Sequence, residues 1–155
     1  MMVEKKLAYL VGMVGAFTFP VEGVLLPVSI ASHIVLFITF AWLADVRRAA
    51  VWMGTASAAT LSTWALLGTN PVRILLALTP FSSQNMPVVA GLWLLSAWFY
   101  WDVVRLLERS SWTLASAVLY VLGAGLLPYK IGSVFLSAAF VVLGIRMGIN
   151  STRTE

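Results

Sequence analysis

The chain has 155 residues, of which 61% are hydrophobic and 10% charged, with ten Lys and Arg against six Asp and Glu for a net charge of +4. Soluble domains carry about 25% charged residues, so this composition, with a mean hydropathy of +0.94, argues for a chain that dissolves in lipid and leaves no sizeable soluble domain. The absence of cysteine excludes disulfides, thiolate nucleophiles and Cys-bound metal or iron–sulfur centres.

Only helices satisfy their own backbone groups in the hydrocarbon, so each apolar run reads as a helix and each interruption as a turn. Lys5 and Lys6 precede an apolar run that ends at Phe19-Pro20-Val21-Glu22 without a small-x-small cleavage pattern, so it reads as a retained span rather than a signal peptide. The stretch from Leu7 to Ala44 covers 38 residues, too many for one crossing. Pro20-Val21-Glu22-Gly23 breaks it with turn-favouring residues and the only charge in the run. Span one is therefore Val3 to Phe19 and span two Glu22 to Ala44.

Asp45, Arg47 and Arg48 form a charged turn before span three, Ala49 to Gly68. The segment 69–86, rich in Pro, Ser, Asn and Gln around the short apolar run Ile74 to Leu78, reads as an outer interfacial or re-entrant loop, the longest connection in the chain. Pro87 opens span four, which exits near Leu107 among Asp102, Arg105, Glu108 and Arg109. Trp112 to Leu127 is span five, ended by Pro128-Tyr129-Lys130, and Ile131 to Ile149 is span six. The expected fold is all-α: residues 1–155 as one integral membrane domain, a polytopic transmembrane helical bundle of six spans with both termini inside. Spans one and five are the shortest, and five spans is the alternative.

The basic residues test this topology independently, because cytoplasmic loops accumulate Lys and Arg. Of the ten, one face receives Lys5, Lys6, Arg47, Arg48, Arg105, Arg109, Arg146 and Arg153, and the other only Arg73 and Lys130. The same distribution accounts for the basic pI near 9.9 through contact with anionic lipid, so nucleic acid is not an expected partner. Trp42, Trp52, Trp101 and Trp112 fall near the inner ends of spans, where amphipathic rings anchor at the headgroups. The chain is expected in the cell membrane as a multi-pass protein.

Span three sets Ala50, Gly54, Ala58 and Ser62 at four-residue spacing, a small-residue stripe that lets helices approach closely. It is read chiefly as an intramolecular packing face, with a subunit interface as the alternative. Span one carries a shorter version, Ala8, Gly12 and Ala16. His33, the single histidine, falls at the centre of span two with Ser29 one turn earlier and Ser32 adjacent. Intramembrane ionisable groups face the bundle interior and can mark a solute or proton path. A neutral ring hydrogen-bonded to a hydroxyl or carbonyl is the structural alternative. Glu22, Arg73 and Lys130 are the charged residues of the outer face and form a candidate outer gate. Asp102 is placed to pair with Arg105 at i+3 or with Arg109.

No HExxH, DxxD, GxSxG or Walker sequence occurs, so no catalytic, cofactor or metal residue is assigned; the reading leans away from an enzyme, with an intramembrane enzyme as a third alternative. Two functions follow. The first is a non-catalytic membrane subunit that packs against partner membrane proteins or further copies of itself. The second is a small-solute transport or binding component with a cavity near His33.

Overall fold

The computed structural model describes residues 2–20, 26–67, 84–129 and 131–153. Among them are six α-helices and no strand: α1 Met2–Thr18, α2 Leu26–Leu43, α3 Val46–Leu67, α4 Met86–Leu107, α5 Ser111–Gly125 and α6 Ile131–Thr152, with a 3-10 turn at Leu127–Tyr129 between the last two. The helices coincide with the six apolar runs of the sequence to within a few residues.

Local chemistry sets the boundaries. Asp45 caps α3, its Oδ1 accepting from the Arg48 amide at 2.9 Å. Pro87 sits in the first turn of α4, where its missing N–H costs nothing. Glu108 leaves α4 in extended conformation, and Ser110 with Thr113 forms a capping box that starts α5. The Thr113 hydroxyl also lies 2.7 Å from the Glu108 carbonyl, which ties the corner between α4 and α5.

Each helix packs on its neighbours in sequence, and α6 closes the circle on α1; α5 with α6 is the most extensive pairing. Neighbours run antiparallel. Gly12 meets both Thr39 and Met147, Ser32 meets Thr18, Arg48 meets Asp102, and Gly123 meets Gly132. The ring has no open centre at the level of its aromatic layer. Phe40, Trp52, Trp93, Tyr100, Tyr120 and Phe140 are all fully buried there and meet one another at centroid distances of 4.5 to 6.2 Å.

The two small-residue stripes behave oppositely. Ala8, Gly12 and Ala16 are buried, so α1 wedges between α2 and α6. The α3 stripe was expected to pack inside the chain and does not. Ala50, Gly54 and Ala58 are exposed, Ser62 is half-buried, and a Cβ built on Gly54 would meet no atom within 4 Å. The inward face of α3 is instead Ala49, Trp52, Ala56, Ala59, Thr60 and Thr63. Four-residue spacing identified a face without saying which way it turns, and the bulky residue that turned α3 inward was Trp52. That tryptophan was expected at the headgroups and lies in the core, whereas Trp42, Trp101 and Trp112 are exposed near the charged end.

Two helices, α4 and α6, are long and apolar enough to cross a membrane; the stretches Ile30–Leu43 and Ser111–Gly125 are apolar but shorter.

Candidate functional site

Within α2, His33 is buried and faces the bundle interior. Its Nε2 lies 3.5 Å from the Thr60 hydroxyl, a pairing whose donor depends on the tautomer. The ring is 4.9 Å from Phe19 and stacks near-parallel to Trp52 at 6.2 Å. Ser32, also buried, places Oγ 2.9 Å from both the Val28 carbonyl and the Thr18 hydroxyl, so it ties α2 to α1 rather than joining His33. Ser29 belongs to α2, but its side chain lies outside the described residues, as do Glu22, Arg73, Lys130 and positions 69–83 of the outer loop. The indole N–H of Trp52 is fully buried and has no hydrogen-bond partner among the described residues.

Beyond Trp52, whose ring is 6.2 Å from His33 and 6.0 Å from Tyr100, lies a polar system absent from the sequence reading. Ser96 and Tyr100 on α4 face Ser116 and Tyr120 on α5, all four buried. The Ser116 hydroxyl donates to the Ala139 carbonyl at 2.7 Å and the Ser96 hydroxyl to the Trp93 carbonyl at 2.7 Å. Each serine proton is thereby used, so Tyr100 donates to Ser116 at 2.7 Å and Tyr120 donates to Ser96 at 2.9 Å. A third relay runs from Trp93 Nε1 to the Thr63 hydroxyl at 3.0 Å and on to the Ala59 carbonyl at 2.7 Å. Every relay ends on a backbone carbonyl, as buried polar groups require. The signal was present: Ser96-Ala97-Trp98-Phe99-Tyr100 and Ser116-Ala117-Val118-Leu119-Tyr120 share the pattern Ser-Ala-x-x-Tyr across one helical hairpin.

The charged end is tied by two clusters. Asp102 takes Arg105 at 2.6 Å, as the i+3 spacing predicts, and also Arg48 of α3, which sequence spacing could not reveal. Glu108 receives Arg146 of α6 through one guanidinium edge, Nε at 2.8 Å together with Nη2, and the Asn150 amide at 3.2 Å. Arg146 is 7% exposed, which makes Glu108 its necessary counter-ion. The Arg146 hydrogen bonds hold the Glu108 carboxyl below its ordinary range, against the opposing effect of its partial burial.

No group of three or more His, Asp or Glu able to hold a metal occurs among the described residues. What the geometry defines is an all-helical bundle with a hydrogen-bonded aromatic core and one ion-paired rim. No known protein family, curated protein or solved structure is similar enough to the chain to match it.

Proposed function

We propose that the chain is an integral membrane subunit, six spans with both termini on the cytoplasmic side, that acts by packing outer helix faces against partner membrane proteins or another copy of itself. The membrane half of this reading is supported by where the charges fall. Every charged residue among the described ones, from Glu4 through Arg153, sits at the end shared by the starts of α1, α3 and α5 and the ends of α4 and α6. The flanks are lined by exposed aliphatic residues such as Val14, Ile34, Ile38, Leu61, Leu95, Val118 and Val141. A wide apolar belt above a basic rim suits lipid and the inside-positive rule. The helices α1 and α5 have 17 and 15 residues. At 1.5 Å per residue they reach about 25 and 22 Å, short of a ~30 Å hydrocarbon core, so local thinning or snorkelling accompanies them.

The subunit half is carried by the open α3 stripe. Ala50, Gly54 and Ala58 leave the backbone of α3 bare on the outside of a ring that has already closed, the arrangement a second helix needs for close approach. In the isolated chain Gly54→Leu is expected to leave stability unchanged or raise it by about 0.5 to 1 kcal/mol through helix propensity. Purified in mild detergent, the wild type should retain its partner or self-association and the variant should lose it; retention by both would remove this reading.

A solute path near His33 is the second reading, favoured by one observation: the indole N–H of Trp52, a donor buried beside the histidine with no hydrogen-bond partner among the described residues. His33→Ala in reconstituted vesicles separates the two. Solute movement abolished with the fold intact supports the path, whereas activity falling only with the folded fraction supports a structural histidine.

A further inference from the structure

The outer surface between α4 and α5 is not flush. A cavity of about 490 Å³ lies against Trp101, Arg105, Arg109, Ser111 and Leu114, and a second of about 470 Å³ continues along Leu94, Trp98 and Val121, the two meeting at Trp101 and Arg105. From Leu94 to Arg105 the groove follows twelve residues of α4, about 16 Å end to end. Its floor is made by Ala97 and Ala117, the alanines of the two Ser-Ala-x-x-Tyr segments. The repeat therefore turns Ser and Tyr inward to clasp the helices and leaves a methyl where a larger side chain would fill the trough. Trp98, 73% exposed, stands as an unpacked wall.

The mouth of the groove is basic. Its two carboxylates are engaged, Asp102 by Arg48 and Arg105, and Glu108 by Arg146. The lining itself holds Arg105 and Arg109 beside these two carboxylates; Arg48 and Arg146 stand outside it and pair with them, so the cluster as a whole keeps a surplus of two positive charges, and Arg109 makes no ion pair among the described residues. A basic mouth opening on an apolar trough is complementary to one kind of molecule: an anion attached to a hydrocarbon chain.

We propose that the α4–α5 groove is a binding site for an anionic phospholipid, its phosphate at Arg105 and Arg109 and one acyl chain along Trp101, Ala97 and Leu94. The site rests on the membrane reading above, since a lipid reaches it only from the bilayer. Charge selects the headgroup and the trough holds the chain, so neither half alone should suffice.

The test uses the full chain in detergent, with native mass spectrometry reading the fraction that carries one lipid. Phosphatidylglycerol and phosphatidylcholine of identical acyl chains are compared. The wild type should retain phosphatidylglycerol preferentially. Arg109→Gln should reduce that preference about fivefold, the worth of one arginine near an anionic headgroup. Arg109→Lys should keep it, and Arg47→Gln, a rim charge outside the groove, should leave it unchanged. Inorganic phosphate at matched concentration should not displace the lipid. Equal retention of both lipids, an equal loss in Arg47→Gln, or displacement by phosphate would each overturn the site. Alkaline carbonate extraction run in parallel separates the two readings. A chain released into the wash defeats the membrane reading and the site with it, whereas a chain that stays with the membrane but shows no preference defeats the site alone.

Discussion

Tyr100 and Tyr120 stack with ring centroids 4.5 Å apart and 20° between their planes, and each donates its hydroxyl to the serine that stands four residues before the other. The arrangement is reciprocal because α4 and α5 run antiparallel and carry the same Ser-Ala-x-x-Tyr spacing. Four buried hydroxyls thereby satisfy one another and two backbone carbonyls. Tyr100→Phe should cost about 0.5 to 1.5 kcal/mol. In a Ser116→Ala background the same change should cost clearly less, because its partner is already gone. Equal losses in both backgrounds, measured by denaturant titration in mixed micelles, would mean the two hydroxyls are not coupled.

Glu108 gives a pH dependence with a definite sign. Its carboxyl is held low by Arg146, so the folded state binds that proton less readily than the unfolded chain. The stabilisation is complete above the ordinary glutamate value, about 4.3, and disappears as pH falls below it through the lowered folded value. Glu108→Gln should therefore lower the Tm at pH 7, by about 1 to 2 kcal/mol in stability, and the gap to wild type should narrow as pH approaches 3. A gap that persists unchanged at pH 3 would show that charge is not what Glu108 supplies.

The α5–α6 crossing has the least room in the bundle. A Cβ on Gly123 would lie 2.6 Å from the Leu136 amide nitrogen and 2.8 Å from the Gly132 carbonyl oxygen, and one on Gly132 would collide with the Gly123 carbonyl and the Leu127 amide. These neighbours are backbone and cannot swing aside, so Gly123→Ala should cost about 1 to 3 kcal/mol despite its gain in helix propensity. Gly54→Ala, with open space around it, should cost nothing, and the pair measured side by side by thermal unfolding isolates crowding from propensity. Similar Tm values for the two variants would count against the backbone contact.

Much of this architecture was legible in one dimension, because apolar run length and Pro, Gly and charge interruptions report helix ends directly. The charged turn at Asp45 and Pro87 each mark a start that the structure keeps. Facing was less legible. The period of Ala50, Gly54 and Ala58 says that they share a side of α3, but in a chain apolar on nearly every side no hydrophobic contrast says which side is inner. Trp52 and the outward stripe were misread for that one reason. The Arg48–Asp102 and Arg146–Glu108 pairs join residues 54 and 38 positions apart, and local spacing carries no record of them. The Ser-Ala-x-x-Tyr repeat was readable but is too short to stand out before the two helices are known to be neighbours.

The proposed topology puts the charged end on the cytoplasmic side and Gln84, just before α4, on the opposite side. The chain contains no cysteine, so Arg47→Cys and Gln84→Cys each create a unique thiol, both at exposed positions. With a membrane-impermeant maleimide applied to intact cells and then to inverted vesicles, Gln84→Cys should label only in the cells and Arg47→Cys only in the vesicles. Labelling of both thiols from the same side would contradict the six-span topology.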